Sequence, residues 1–149
     1  LTNCYGPRLR IRDARQTFLG IWLRCVLEKR PFEVWGGEQL RDMTYVDDVT
    51  VAFLRAAATP ACHGQVYNIG GPPPASLLEI AHILEKLAPG DAQFVTREFP
   101  ADRKSIDIGS YHADDHAFRA ATGWAPGVSL EEGVGRSLAW YRTRLAQYV

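Results

Sequence analysis

Apolar residues recur along the first third of the chain in patterns that predict a helix followed by extended segments. Between residues 18 and 27 they recur at helical spacing, and a charged cluster at residues 28–30 marks the end of that helix. Residues 32–35 then alternate between apolar and polar side chains, as in a strand. The pair Gly36-Gly37 predicts a turn before a second extended piece at residues 43–46.

The middle of the chain predicts another helix and a short strand. Asp47 or Asp48 can cap that helix, because an aspartate side chain accepts hydrogen bonds from the free amide groups at a helix start. The buried stripe of the helix is predicted to comprise Val49, Ala52, Phe53 and Ala56. The stretch GQVYNIGG at residues 64–71 predicts a short strand closed by glycines.

The C-terminal half alternates in the same way. Ser76 and Glu79 have the spacing of a helix-capping box, and so do Ser129 and Glu132. A strand is predicted at residues 92–99, and Asp114 is predicted to cap a short helix. The inward face of the terminal helix is predicted to carry Leu130, Val134, Leu138, Tyr141 and Leu145. Since strands and helices alternate throughout, the sequence predicts an α/β fold in one piece over residues 1–149.

Composition and charge narrow the classes of partner. The chain has 149 residues, 46% of them hydrophobic, and its 17 Lys and Arg residues balance 17 Asp and Glu residues. A balanced charge gives no overall field that would attract nucleic acid or an anionic membrane. The apolar stretches are far shorter than the roughly 20 residues that span a bilayer. We therefore expect a protein with no nucleic-acid partner and no membrane partner.

The cysteines and histidines predict neither a disulfide framework nor a metal site. Cys4, Cys25 and Cys62 are odd in number and widely spaced, so a reducing cytoplasm is the expected location. His112 and His116 have a spacing that can hold zinc on one helix face. The predicted cap at residue 114 would place the first histidine outside the helix, so we expect no metal site.

Three polar groups could recognise a phosphorylated ligand. Arg41 follows a glycine turn, and a guanidinium presented there can grip a phosphate through parallel hydrogen bonds. The alternative is a surface arginine paired with Asp42 or Glu38. Arg103 and Lys104 could meet Arg41 across a cleft to neutralise a diphosphate, or they could lie in a solvated loop. Asn3 could bind a hydroxyl or phosphate through its amide, or it could be a turn residue.

Two patterns expected of a hydride-transferring enzyme do not occur in this sequence. The glycines of NIGGPPP are followed by prolines, which do not offer the free amide groups of a phosphate-binding helix start. No tyrosine is followed by a lysine four positions later. On its own, the sequence predicts ligand-binding parts without a catalytic centre.

Five blocks, in order and in spacing, resemble the C-terminal half of the NAD-dependent nucleotide-sugar epimerase/dehydratase family, the extended short-chain dehydrogenases. The blocks are TNCYGPR, GGEQLRDMTYVDDVTVAF, GQVYNIGG, SLLEIAHIL and ADDHAFRAATGWAPGVSLEEGV. The resemblance implies a Rossmann-type fold, of which this chain would be the small substrate-binding lobe together with elements that complete the cofactor-domain sheet. It also implies that the NAD-binding part and the catalytic Tyr-x-x-x-Lys lie upstream, outside this chain.

The resemblance assigns roles to individual residues. Asn3 is similar to the family asparagine that contacts the sugar diphosphate, and Thr2, Asn3 and Cys4 would lie near the nicotinamide of NAD. Arg41 matches the arginine that holds the nucleotide diphosphate. The second phosphate ligand would be Arg103 by residue type and Lys104 by position. Tyr111 falls near a position that lines the sugar pocket. Scaffold roles are implied for Val46, Asp48, Gly123, Trp124 and Pro126.

The activity implied by the resemblance is epimerisation or dehydration of a nucleotide-sugar through a keto-sugar intermediate, with NAD as the cofactor. A UDP-sugar and the UDP-glucose 4-epimerase type are favoured, and the full-length protein is expected to be a homodimer. The chain alone is expected to be inactive. The alternatives are a non-catalytic module that binds nucleotide-sugars and a structural remnant.

Overall fold

The structure, a computed structural model, describes residues 1–13, 17–100 and 108–149. Helices and strands alternate along these ranges, which confirms the predicted α/β class. The helices are α1 Phe18–Leu27, α2 Val46–Ala58, α3 Leu77–Leu87, α4 His116–Thr122 and α5 Leu130–Arg142. The strands are β1 Cys4–Tyr5, β2 Phe32–Trp35, β3 Leu40–Arg41, β4 Thr44–Tyr45, β5 Ala75–Ser76 and β6 Phe94–Arg97.

The strands described pair in three two-stranded sheets. β2 lies parallel to β6, with Phe32 opposite Phe94, and β1 lies parallel to β4. β3 and β5 are antiparallel, with Arg41 opposite Ala75. A parallel pair needs a crossover between its strands, and α3 lies in the segment that joins β2 to β6. The pairing of β3 with β5 fixes the position of Arg41.

Local capping explains where two of the helices begin. The predicted box of α3 is confirmed, since Ser76 Oγ accepts from the Glu79 N–H at 3.1 Å and Glu79 Oε2 accepts from the Ser76 N–H at 2.6 Å. In α5 only one half of the predicted box is formed. Ser129 Oγ accepts from the Glu132 N–H, whereas the Glu132 carboxylate accepts from Arg136 at 2.6 Å.

The main core packs α1, α3 and α5 around the short strands. Aromatic rings form a continuous stack in it, with ring centroids 4.8 Å apart for Trp22 and Phe32 and 5.8 Å apart for Phe32 and Phe94. The predicted inward face of α5 is confirmed at Val134, Leu138 and Tyr141, which are buried. A smaller apolar cluster forms where α2 meets α4, and it comprises Ala52, Cys62, Ile69, Phe118 and Trp124.

The predicted aspartate cap of α2 is wrong. Tyr45 is the N-cap residue, and it makes no hydrogen bond through its side chain. Asp48 is instead buried inside the first turn, where its two carboxylate oxygens accept from the Gly127 and Val128 N–H groups, each at 3.0 Å. A tertiary contact therefore uses the carboxylate, in agreement with its implied scaffold role.

The predicted cap of α4 is displaced by one residue. Asp115 is the N-cap, and its carboxylate makes a bidentate ion pair with Arg119 instead of bonding to the helix start. Asp114 still accepts from the His116 N–H, at 3.0 Å. No group of three metal-ligating side chains occurs in the part of the chain that the structure describes.

Two apolar segments are more exposed than the sequence pattern predicts. Phe53 was predicted to be buried and is 58% exposed, with Val51 and Leu54 exposed beside it on α2. Residues 64–71 do not form the predicted strand, and Val66 is 96% exposed. Among the described residues, this segment pairs with none of the three two-stranded sheets. That it completes a neighbouring sheet stays a prediction.

The helices described include none long and apolar enough to cross a membrane. The longest are α2 and α5, with 13 residues each. A helix that spans a bilayer needs about 20 residues.

Tyr141 is expected to make the free energy of unfolding fall at alkaline pH. Its hydroxyl is buried and donates to the Leu9 carbonyl at 2.6 Å, and burial raises the pKa of the phenol well above its ordinary value. Because the raised pKa belongs to the folded state, the stabilisation is complete below the unfolded pKa of about 10 and is lost as the pH rises further. We expect the free energy of unfolding in urea to fall by about 1 kcal/mol more between pH 8 and pH 11 in the wild type than in Tyr141→Phe. Equal falls in the two proteins would contradict this assignment.

Candidate active site

A cavity of about 490 Å³ opens between α1, β2 and β3. Its wall is mostly aromatic and aliphatic, and Arg41 contributes a guanidinium to it. The lining includes Phe18, Ile21, Trp22, Phe32, Trp35, Gln39, Arg41, Leu77 and Phe99. Glu33 also lines the cavity, and its carboxylate accepts from Trp35 Nε1 at 3.1 Å and pairs with Arg97 at 3.4 Å. Apolar walls together with the Arg41 guanidinium suit a ligand that has both a ring and an anionic group.

Arg41 is held at the cavity wall by backbone carbonyl groups. Its Nη1 donates to the Leu40 carbonyl at 2.8 Å and also to the Gly109 carbonyl. The antiparallel pairing of β3 with β5 fixes its backbone. The side chain is half-buried, so its head group is already ordered before any ligand binds.

Tyr111 lies directly beside Arg41. The two residues form a parallel bridge, in which the Tyr111 N–H donates to the Leu40 carbonyl at 3.0 Å. Ser110 Oγ accepts from the Leu40 N–H at 3.0 Å. These bonds join the loop at residues 108–113 to β3, so the structure brings two predicted substrate-binding residues together that are 70 positions apart in sequence.

Thr2 and Asn3 bond to residues that come just after Arg41 in the chain. The Asn3 carbonyl accepts from the Thr44 N–H at 3.2 Å, and Asn3 has a φ of 22°, in the left-handed region. The Thr2 hydroxyl donates to Asp42 at 2.6 Å, and the same carboxylate accepts from the Ala113 N–H at 2.9 Å. Asp42 therefore connects the Asn3 segment to the loop that carries Tyr111.

Cys4 faces a different cavity from Arg41. This second cavity, of about 460 Å³, is lined by Cys4, Tyr5, Arg8, Asp47 and Trp140 among others. Partial burial raises the pKa of the Cys4 thiol, so the thiol is less ionised than usual at neutral pH. Thr2 and Asn3 are not among the residues that line this cavity, so the three predicted cofactor contacts do not converge on it.

Arg103 and Lys104 lie outside the described residues. Their assignment as the second phosphate ligand stays a prediction. The described residues nearest to them in sequence are Pro100, which follows the cavity residue Phe99, and Ile108, which precedes Gly109.

The aromatic wall was not predicted from the sequence. Phe18 and Trp22 are four residues apart on α1, a spacing that is equally typical of a buried core. Trp35 and Phe99 meet edge to face, with ring centroids 6.0 Å apart, and they come from distant parts of the chain. Only the packing of β2 beside β6 brings these rings together.

The alternative in which the Arg41 side chain pairs with Asp42 is wrong. Asp42 is 2% exposed, and its oxygens accept from Thr2 and Ala113. Arg41 Nη1 donates instead to the Leu40 and Gly109 carbonyl groups. Adjacent residues of an extended segment point to opposite faces, which explains why the two side chains diverge.

Sequence comparison supplies relatives that act on nucleotide-sugars. The model of the NAD dependent epimerase/dehydratase family matches residues 1–70. Over 150 residues the chain is 31% identical to dTDP-glucose 4,6-dehydratase of Neisseria gonorrhoeae, covering 94% of this chain and 42% of that protein. It is 30% identical to UDP-glucose 4-epimerase of Mycolicibacterium smegmatis, covering 95% of this chain and 44% of the relative. The chain thus spans less than half the length of these curated relatives.

Solved structures agree with the sequence relatives. UDP-glucose 4-epimerase of Thermotoga maritima, crystallised with UDP-glucose, superposes with a TM-score of 0.81 at 27% identity over 96% of this chain and 44% of that one. UDP-glucuronic acid 4-epimerase of Bacillus cereus, in complex with NAD, gives a TM-score of 0.78 at 28% identity over 99% of this chain and 44% of that one. The family model, the relatives and the solved structures agree: over nearly its whole length the chain is similar to nucleotide-sugar epimerases and dehydratases, and over residues 1–70 it matches the NAD dependent epimerase/dehydratase family.

Proposed function

We propose that this chain is the substrate-binding part of an NAD-dependent nucleotide-sugar epimerase or dehydratase. The observation that carries the proposal is the Arg41 guanidinium, ordered by backbone carbonyls at the edge of an aromatic cavity. A nucleoside diphosphate has the two matching parts, a flat base and an adjacent dianion. Within this class a UDP-sugar and 4-epimerase chemistry are the favoured assignment, because several of the similar structures are 4-epimerases.

The base would occupy the aromatic wall. Stacking of a base on an aromatic side chain contributes about 1–3 kcal/mol, and the wall offers Trp35 and Phe99 near its rim. The Trp35 ring is held by a bond from its Nε1 to Glu33 at 3.1 Å. A ring fixed in this way loses little conformational freedom when a ligand stacks on it.

The diphosphate would then lie against Arg41, with Arg103 or Lys104 as a second cation. Guanidinium–phosphate hydrogen bonds are charge-assisted and about twice as strong as neutral ones. The sugar would extend from the diphosphate toward Tyr111 and Asn3. This order is supported by three contacts: Arg41 lines the cavity, Tyr111 bridges Arg41, and Asp42, the next residue in the chain, accepts from Thr2.

The residues that the structure describes do not form an NAD site by themselves. The Thr2 hydroxyl is used by Asp42 and the Asn3 carbonyl by Thr44. The Gly70-Gly71 pair serves close packing and forms no phosphate cradle, because a Cβ at Gly71 would lie 2.4 Å from the Met43 carbonyl oxygen. We therefore propose that the main NAD site lies in a part of the protein outside this chain.

The proposal also covers the whole protein. We propose that it forms a homodimer, that it is located in the cytoplasm, and that its catalysis depends on a tyrosine and a lysine outside residues 1–149. The alternative is a non-catalytic module that binds a nucleotide-sugar. Turnover of a nucleotide-sugar by the full-length protein, with NAD bound, would distinguish the enzyme from the module.

Titration calorimetry with the 149-residue chain tests the binding proposal. We expect UDP and UDP-glucose to bind, and UDP to bind about tenfold more tightly than UMP, because the second phosphate adds charge-assisted bonds to Arg41. Quenching of tryptophan fluorescence should accompany binding, since Trp22 and Trp35 line the cavity. A comparison of UDP with dTDP measures the preference for the base. Equal affinities for UDP and UMP, or no binding of either, would contradict the proposal.

A further inference from the structure

Asp42 is a buried carboxylate that joins two separate segments of the candidate site. It is 2% exposed. Its Oδ1 accepts from the Thr2 hydroxyl at 2.6 Å, and its Oδ2 accepts from the Ala113 N–H at 2.9 Å. A carboxylate is costly to bury, so its two hydrogen bonds hold the donors firmly in the folded chain.

Each of the two segments carries residues that are assigned to the substrate. Thr2 precedes Asn3, which is assigned to the sugar diphosphate. Ala113 ends the loop in which Tyr111 bridges Arg41 and Gly109 accepts from the Arg41 guanidinium. Asp42 follows Arg41 directly in the chain. Its backbone therefore adjoins the residue assigned to the diphosphate, while its side chain bonds to both segments.

We infer that Asp42 is a positioning residue that sets the separation between Asn3 and the Arg41–Tyr111 pair, and so aligns the sugar relative to the diphosphate. This inference rests on the proposed function. Asp42 does not need to touch the ligand for this role. A change of about 1 Å in such a separation alters the geometry in which a bound substrate can react.

The chemistry of the side chain predicts how three variants differ. In Asp42→Asn both bonds can persist, because the Oδ1 atom accepts from Ala113 and the Nδ2 group donates to the Thr2 hydroxyl, which can also accept. Asp42→Ala removes both bonds. Thr2→Val removes only the bond to the N-terminal segment and keeps a side chain of similar shape.

Asp48 provides a matched control. It too is a buried aspartate, 8% exposed, whose two oxygens each accept one hydrogen bond. Its donors are the Gly127 and Val128 N–H groups, which lie in neither segment of the site. Asp48→Ala should therefore lower the stability of the chain without changing the geometry between Asn3 and Tyr111.

Amide hydrogen exchange in the ligand-free chain tests the positioning directly. We expect exchange of the Tyr111 and Ala113 amides to accelerate about tenfold or more in Asp42→Ala, and to stay near wild type in Asp42→Asn and Asp48→Ala. Thr2→Val should leave the Ala113 amide protected, because that bond remains. Unchanged exchange in Asp42→Ala, or the same change in Asp48→Ala, would overturn the inference.

Binding of UDP and UDP-glucose supplies the functional measurement. We expect Asp42→Ala to weaken UDP-glucose about tenfold, and Thr2→Val to weaken UDP-glucose severalfold with UDP affinity within about twofold of wild type. Rescue in Asp42→Asn separates positioning from a need for negative charge. If Asp42→Ala does not fold, the affinities of Thr2→Val for UDP and UDP-glucose test the inference instead. Should the wild type bind neither ligand, the proposed function and this inference both fall; normal wild-type binding with unaltered variants overturns the inference alone.

Discussion

Replacing Arg41 with alanine is expected to weaken UDP binding about thirtyfold, with little loss of stability. Charge-assisted bonds to a phosphate contribute about 2 kcal/mol, which corresponds to that factor in the dissociation constant. The side chain is half-buried at the edge of the cavity, and its carbonyl partners at Leu40 and Gly109 lie close enough to the surface to be hydrated when it is removed. The variant is therefore expected to lose far more free energy of UDP binding than free energy of folding.

Two variants make this result specific to Arg41. Arg41→Lys keeps the charge but loses the planar fork of donors, so we expect an intermediate affinity. Arg55→Ala is the matched control, because Arg55 also donates to a backbone carbonyl, that of Thr122 at 3.0 Å, but lies on α2 outside the cavity lining. Calorimetry with UDP measures all three. Wild-type affinity in Arg41→Ala, or an equal loss in Arg55→Ala, would remove the main support for the proposed function.

Gly133→Ala is expected to lower the free energy of unfolding by about 3 kcal/mol, the upper end for overpacking a well-filled core. A Cβ at this position would lie 2.1 Å from the Tyr5 hydroxyl oxygen and 2.9 Å from Cδ2 of Tyr45. Both rings are buried and meet edge to face, with centroids 5.6 Å apart, so neither can turn away alone. The Tyr5 hydroxyl would also lose its bond to the Leu130 carbonyl.

Gly135→Ala on the same helix is the control for Gly133→Ala. A Cβ at Gly135 meets only Leu87, at 3.8 Å, an ordinary van der Waals contact. Alanine also favours a helix interior over glycine by about 1 kcal/mol, so this variant should be neutral or stabilised. Urea unfolding of both variants distinguishes helix propensity from packing. Equal changes in the two proteins would show that the Tyr5–Tyr45 contact does not restrict residue 133.

Much of the fold and part of the site could be predicted because the signals are local. Helical periodicity identified α1 and α5, and the spacing of Ser76 and Glu79 located the start of α3. Arg41 was singled out because it follows a glycine turn, and Tyr111 because of the resemblance to the family; their roles in binding stay predictions. For the helices, the determining residues lie within a few positions of one another, so the sequence contains the complete signal.

Only the tertiary structure decided how these pieces serve a binding site. The carboxylates of Asp42 and Asp48 bond to groups 71 and 79 positions away, and no local pattern distinguishes such bonds from a helix cap or a surface ion pair. The aromatic wall forms because β2 lies beside β6, and Phe53 is exposed because α2 packs through its other face. Local sequence patterns predicted most of the helices, and the order of the sequence blocks indicated the resemblance to a family. Long-range pairing determined which side chains meet, because burial and hydrogen bonding depend on neighbours that only the folded chain supplies.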